Sequence, residues 1–379
     1  MKKLRIGLIY GGKSGEHEVS LKTAAAVLQQ LDFAKYDVIP FYITKQGEWR
    51  KGPLLTGAEQ LRMLAGAEEV RELERALAIP GHAAAAGAHF PIPLVGHTSA
   101  QHADTVSIDV VMPLLHGTFG EDGTIQGLLE LANVPYVGAG VLASAVGMDK
   151  ITMKKIFAQE GLPQCLFRHF TRSQWEKDQA YLVAEIELTL GYPCFVKPAN
   201  LGSSVGISKA ANRKQLLEAV RIAFEFDRKV IVEESVNARE IEVSVLGNDE
   251  PETSVPGEVV SSNEFYDYRA KYVDGKSQLI IPADIPEETK REAQQLAVRA
   301  FQAIDGAGLA RVDFFLTRED GRLLVNEINT MPGFTPYSMY PLLWKESGKS
   351  YGQLLDDLIR LALERHREKQ RIRYTFEIE

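Results

Sequence analysis

The sequence predicts an α/β protein of several domains, on three observations. A strand, a helix and a strand follow one another at the N-terminus. Near the middle, an apolar strand ending in a lysine runs into a Gly/Ser loop. Towards the C-terminus, a hairpin carries two carboxylates and an amide on its polar face. At 379 residues the chain exceeds what one compact core organises, so two or three domains are expected.

Residues 4–10 are largely apolar, interrupted by Arg5 and ended by Gly11-Gly12. They read as a first strand, and neither as a signal peptide nor as a membrane span. A helix is expected over 20–31 with Ser20 as its N-cap, and Tyr36 to Ile43 reads as the second strand of a βαβ unit. Residues 57–79 are helical by composition, and Ala83 to Ala88 look like a low-complexity surface insertion. His82, His89, His97 and His102 crowd this region, but their spacings fit no metal-ligand pattern, so they read as loop histidines. Ile108 to Leu115 is a buried strand delivering His116 and Gly117 to its C-terminal end, where open α/β sheets place their ligands.

A second unit starts near Gly138–Asp149. It comprises helix 149–160, strand Cys194 to Lys197, a Gly/Ser loop, strand Gly206 to Ser208 and helix 212–226. A third begins with the strand Val230 to Glu234 and runs to the end. Its tail, Arg371 to Glu379, alternates Ile372, Tyr374, Phe376 and Ile378 on one face, as an edge strand would.

Composition narrows the function. With 45% hydrophobic and 25% charged residues, the chain reads as soluble and globular. A net charge of −8 argues against a nucleic-acid binder, which needs a basic face. The two cysteines, Cys165 and Cys194, build no disulfide framework. A reducing cytoplasm and buried structural thiols are the simpler reading.

Two motifs mislead. Gly7 to Ser14 matches the Walker A expression letter for letter, yet Gly7 lies inside a strand instead of after it, and Glu16 and Glu18 place negative charge where phosphates would lie. Gly138-Ala-Gly140-Val-Leu-Ala143 imitates a dinucleotide fingerprint behind too short a strand, and reads as a turn between domains.

The chemistry concentrates in the C-terminal hairpin. In Arg311-Val312-Asp313 the two charges share one strand face. Leu323 to Asn329 forms the return strand around Asp320-Gly321, with Glu327 and Asn329 on a common face. Asp313, Glu327 and Asn329 are hard oxygen ligands suited to Mg²⁺ or Mn²⁺ and not to zinc. Mg²⁺ fills its open positions with substrate phosphates, so the site implies a nucleotide. Lys197, at a strand end before Gly202-Ser203-Ser204-Val205-Gly206, fits the same purpose. Small residues let backbone N–H groups approach phosphate oxygens, and the lysine adds a point charge. Lys150, at a helix start, is a second candidate phosphate contact. The segment Glu233-Glu234-Ser235-Val236 should cross between domains and read an adenine edge, with Glu240 accepting from ribose hydroxyls.

Together these features resemble the ATP-grasp superfamily and, within it, the D-alanine–D-alanine ligase family. Five motifs carry the resemblance in the family's order over nearly the whole chain: Gly11 to Ser20, His116-Gly117-Thr118-Phe119-Gly120-Glu121-Asp122-Gly123, Lys197 to Gly206, Glu264 to Tyr272, and Glu327-Ile328-Asn329-Thr330-Met331-Pro332-Gly333. The resemblance implies a three-domain ATP-grasp fold. An N-terminal open parallel α/β substrate domain would span 1–138, a central domain 139–232, and a C-terminal domain with the metal site and a lid loop 233–379. ATP would be held between the last two.

It also implies ATP-driven joining of two D-alanines through an acyl phosphate, with Mg²⁺ or Mn²⁺ as two ions held by Asp313, Glu327 and Asn329 and with Glu327 shared. Lys150 and Lys197 would hold the α- and β-phosphates and Lys271 the γ-phosphate. Ser203, Ser204 and Asn326 would complete the nucleotide contacts beside Glu233, Glu234, Val236 and Glu240. Arg311 and the Gly333 N–H would form the oxyanion hole. Glu16 would bind the first ammonium, His116 would lie beside the first substrate, and Ser338 and Met339 would receive the second alanine's carboxylate and methyl. A relay of Tyr272, Ser203 and Glu16 would remove the attacking amine's proton. Residues 257–282 read as a lid that excludes water from the reactive intermediate. A homodimer is the family expectation.

The chain departs from the pattern in a longer 51–105 segment and in lacking an aromatic at Glu234-Ser235-Val236. Other readings are a D-alanine–D-lactate or broader dipeptide ligase, and a regulatory nucleotide binder without turnover. Tyr272 argues against the lactate ligase, and the intact metal triple against the regulator.

Overall fold

A computed structural model describes residues 2–57, 107–202, 205–260 and 278–374. The expectations for the 57–79 helix beyond Gly57, the 83–88 insertion, its four histidines, residues 261–277 of the 257–282 lid with Lys271 and Tyr272, Ser203 and Ser204, and the tail beyond Tyr374 fall outside the described residues.

The described residues form three sheets. The first contains β1 (Leu4–Gly11), β2 (Tyr36–Ile43), β3 (Trp49–Lys51) and β4 (Val110–Leu114) in the order β3-β2-β1-β4. Strand β1 pairs in parallel with β2 and β4, while β3 adds antiparallel to β2. Gly7 lies inside β1, which removes the Walker A reading. The first helix, α1 (His17–Gln30), starts three residues before the expected cap, with Glu16 at the N-cap position. Ser20 caps nothing: its buried Oγ accepts from the Gly11 N–H at 2.8 Å and donates to the Leu114 carbonyl, tying β1 to β4. Its hydroxyl is spent on the sheet, and Glu16 is left at the helix mouth.

The second sheet runs β5 (Phe167–Thr171), β8 (Lys229–Glu234), β6 (Cys194–Pro198), β7 (Ser208–Ala210), all antiparallel. The strand expected to open the third unit therefore completes the second sheet. Its apolar residues Val230 and Val232 pack with Val196 and helix α7 (Arg213–Phe226). The third sheet is antiparallel, with β12 (Gln278–Ile280), β11 (Gly257–Val260), β9 (Ala238–Gly247), β13 (Gly308–Thr317) and β14 (Leu323–Asn329) in that order, and β10 (Glu252–Thr253) beside β9.

Cores cross the sequence divisions. Helices α3 (Val141–Met148) and α4 (Lys150–Gln159) contribute Ala143, Val146, Met153 and Phe157 to the core under the third sheet. The last helix, α10 (Tyr351–Lys369), lays Leu354, Leu355, Leu358 and Ile359 against Ile6, Leu8 and Val110 of the first sheet. Beyond it the described tail residues Arg371–Tyr374 form no strand. Lys369 pairs with Glu130, Gln370 donates to Asn133 at 2.7 Å, and Ile372 turns back to the Lys369 carbonyl. These contacts tie Lys369 and Gln370 to Glu130 and Asn133, and Ile372 and Tyr374 stay exposed. Both cysteines are buried and unpaired, and burial pushes each thiol up to about 11.

Candidate active site

A cavity of 1210 Å³ opens between the sheets and collects side chains from distant segments, among them Glu16, His116, Lys150, Lys197, Arg311 and Glu327. That volume suits a nucleotide with small co-substrates.

Strands β13 and β14 form the hairpin read from the sequence. Arg311 faces Asn329, and Asp313 faces Glu327. After Asp313 the register shifts, with Phe314 opposite Val325, so Asn326 is the extra residue of a β-bulge. Strict alternation would turn Asn326 away from Glu327; a bulge re-aims such a residue, and both line the cavity.

The Arg311 guanidinium holds Asp313 through two hydrogen bonds of 2.6 and 2.7 Å and sits 3.0 Å from Glu242. Burial disfavours its charge, but Asp313 and Glu242 outweigh that and keep it firmly protonated. The Asn329 amide donates to Asp313 at 3.0 Å, leaving its oxygen to complete the donor set. The resulting two carboxylates and one amide oxygen are the hard donors that Mg²⁺ or Mn²⁺ takes, so the residues fit the metal. Among the described residues no cluster of three His, Cys, Asp or Glu suited to a metal occurs; in this donor set the third member would be an asparagine.

Lys150 begins α4, whose N-terminus is capped by Asp149 accepting from the Ile151 and Thr152 N–H groups at 3.1 and 3.0 Å. The Lys150 ammonium donates to the Leu201 carbonyl at 2.8 Å and lies 3.6 Å from Glu327, linking the base of the Gly/Ser loop to the hairpin. Asp227 holds the same loop from behind, accepting from the Asn200 N–H and side-chain amide at 2.9 Å each. Lys197 donates to Glu233 at 2.7 Å. Burial opposes both charges, yet Lys154 and Lys197 pull the Glu233 pKa down to about 2, and Glu233 raises that of Lys197. Glu234 is tied back to strand β5's approach, accepting from the Leu166 N–H at 2.7 Å. Glu234, Val236 and Glu240 all line the cavity.

At the first sheet's edge, Gly117 has φ +73°, and a Cβ there would meet Glu16 Oε2 at 2.6 Å. A Cβ on Gly202 would stand 3.5 Å from that same oxygen. Glu16 thus lies between the His116 turn and the base of the Gly/Ser loop. His116 is buried, its Nε2 3.1 Å from Thr23 Oγ1 and its Nδ1 3.8 Å from Glu121. Burial favours the neutral imidazole, but Glu121 and Glu16 prevail and raise its pKa. Gly333 faces Ser338, whose Oγ accepts from the Thr335 N–H at 3.1 Å. Met339 is buried with Val259 and Leu343 while lining the cavity.

Sequence reasoning missed Glu242, Glu121 and Lys154 as members of these clusters. Glu242 had a readable signal in the alternation Glu240-x-Glu242-x-Ser244. It faces Asp313 across the strand pair.

Three sheets around a nucleotide-sized cavity, with oxygen donors on one hairpin and two lysines facing them, define an ATP-grasp enzyme. Models of two families match: D-ala D-ala ligase N-terminus over residues 5–139 and D-ala D-ala ligase C-terminus over 156–360. The chain belongs to the D-alanine–D-alanine ligase family. It is 54% identical over 379 residues to the D-alanine–D-alanine ligase of Bacillus cytotoxicus, covering 99% of this chain and 100% of that protein. Among solved structures it resembles the D-alanine-D-alanine ligase from Coxiella burnetii, with TM-score 0.77, 35% identity, and coverage of 98% and 97%. It also resembles the VanG D-Ala:D-Ser ligase from Enterococcus faecalis, with TM-score 0.80, 36% identity, and coverage of 95% and 100%.

Proposed function

We propose that the chain is an ADP-forming carbon–nitrogen ligase that joins two D-alanines into D-alanyl-D-alanine, a precursor for peptidoglycan and hence for cell-wall biogenesis and cell shape. The observation that carries this reading is one cavity that gathers Glu16, Lys150, Lys197, Arg311, Glu327 and Gly333 from three sheets.

Transfer of a phosphoryl group to a carboxylate brings two anions together, so positioning and charge neutralisation do most of the catalysis. The first D-alanine's carboxylate oxygen attacks the γ-phosphorus, the bond to ADP breaks, and an acyl phosphate forms. The second D-alanine's amine, having lost a proton, attacks the acyl carbon. The tetrahedral intermediate then expels phosphate and leaves the peptide bond. Lys150 and Lys197 neutralise the α- and β-phosphates and Lys271 the γ-phosphate, with Ser203, Ser204 and Asn326 beside them. Glu233, Glu234 and Val236 frame the adenine, and Glu240 accepts from the ribose. Asp313, Glu327 and Asn329 hold two Mg²⁺ or Mn²⁺ ions, which when bound neutralise and orient phosphate oxygens.

Glu16 receives the first ammonium, with His116 alongside. Arg311, its plane fixed by Asp313 and Glu242, and the Gly333 N–H stabilise the oxyanion. Ser338 and Met339 receive the second alanine. Tyr272, Ser203 and Glu16 relay the proton, a route supported by the approach of Glu16 to Gly202. Within this reading the chain acts as a homodimer in the cytoplasm, with domains at 1–138, 139–232 and 233–379. Among the described residues no helix is long and apolar enough to cross a membrane.

Phosphate release with ATP, Mg²⁺ and a panel of D- and L-amino acids, with D-serine and D-lactate as alternative acceptors, tests the function. D-Alanyl-D-alanine should be the main product. A predominance of D-alanyl-D-serine or of the depsipeptide would overturn it.

A further inference from the structure

We propose that Lys154 is a positioning residue for nucleotide binding: it grips the far oxygen of Glu233 and so keeps Lys197 available to phosphate. The inference rests on reading Lys197 and Glu233 as nucleotide contacts. Lys154 follows Lys150 by one turn of α4. It is 1% exposed, and it is absent from the cavity lining that includes Lys150, Lys197 and Glu233. Its ammonium lies 3.4 Å from Glu233 Oε1 and 6.0 Å from the Phe167 ring centroid, and makes no hydrogen bond among the described residues. The other Glu233 oxygen accepts from Lys197 at 2.7 Å.

One buried carboxylate therefore stands between two ammonium groups, a part-buried one in the cavity wall and a fully buried one behind it. Filling that volume with hydrocarbon would avoid the desolvation penalty of a buried charge, so packing alone gives no reason for a lysine. The charge arithmetic does. Glu233 with Lys197 alone is a neutral pair, with the ammonium drawn onto the carboxylate. A second ammonium on the opposite oxygen leaves the trio with a net positive charge. Lys154 cannot reach the nucleotide itself, so that excess is expressed in the cavity through Lys197.

The test is Lys154→Met, which keeps the length and removes the charge, assayed by steady-state phosphate release in the full chain with ATP varied. The KM for ATP should rise about tenfold while kcat stays within about twofold. A purely structural lysine would lower the melting temperature and the active fraction without moving KM. Because the effect passes through Glu233, Lys154→Met added to Glu233→Gln should leave the KM of the Glu233→Gln enzyme within about twofold. This charge-balanced double variant also serves if the single variant does not fold. An unchanged KM in Lys154→Met, or a full tenfold rise on top of Glu233→Gln, would overturn the inference. Lys197→Ala separates the two readings. If it leaves the KM for ATP unchanged, the nucleotide assignment of Lys197 fails. If it raises KM and Lys154→Met does not, only the role of Lys154 fails.

Discussion

Replacing Glu327 with Gln keeps the side-chain volume and removes one negative charge from the hairpin. Glu327 stands opposite Asp313, and the Lys150 ammonium lies 3.6 Å from it, with the Glu327 side chain 26% exposed. A partly solvated pair of that kind contributes below about 1 kcal/mol to stability, so the fold should survive. Catalysis should not. Losing one preorganised group that stabilises transferring charge typically costs 10²–10³ in turnover, about 2.7–4 kcal/mol of barrier. Turnover should therefore fall at least ~100-fold on that scale, with an unchanged circular dichroism spectrum and melting curve from the same preparation. Turnover retained undiminished, with no greater demand for Mg²⁺ than the unmutated protein has, would show that Glu327 does not hold the metal, and the hairpin assignment would be lost.

Lys271→Ala should impair phosphoryl transfer more than nucleotide binding, because lid groups act only when closed; a large loss of ADP affinity with normal turnover at saturation would refute this. Tyr272→His should shift product chromatography towards the D-lactate depsipeptide at low pH, since an imidazolium attracts the second anion below about pH 6.5. An unchanged product ratio would remove Tyr272 from acceptor choice. The raised His116 pKa links stability to pH. That contribution is complete below the unfolded value near 6.5 and is lost as pH rises through the higher folded value. Glu121→Gln should flatten the decline in urea stability above pH 6.5; an equally steep decline would exclude this pair as its source. Phe157→Ala, at a fully buried position under the third sheet, should destabilise by about 3–5 kcal/mol in urea unfolding.

Much of the fold was legible because its signals are local. Alternation and turn chemistry located β2, α7 and the 311–329 hairpin, whose first strand begins three residues earlier, at Gly308. The Asp313, Glu327 and Asn329 pattern followed from strand geometry alone. What escaped depends on tertiary choices. Ser20 looked like a cap because capping chemistry is visible in sequence, while its actual partners, Gly11 and Leu114, come from two strands. The alternating tail resembled a strand, but its described residues, Arg371 to Tyr374, form none. The bulge at Asn326 has no glycine to announce it. Lys154 was unreadable as a functional group because its meaning lies in which buried charge it meets, whereas Glu242 was overlooked although its strand alternation could have been read.

The final helix carries a consequence for biosynthesis. Leu354, Leu355, Leu358 and Ile359 cover a face of the sheet that opens the chain at Ile6 and Leu8. On the ribosome those early strands and α1 are made first, yet the rest of their covering is made last. At about 5–20 residues per second, the part of the face left open by α1 stays bare for tens of seconds while the other two sheets emerge. The N-terminal sheet therefore cannot mature as an independent vectorial unit. Nascent chains stalled before Tyr351 should expose it to chaperones and proteases, and release of the last helix is the event that seals it.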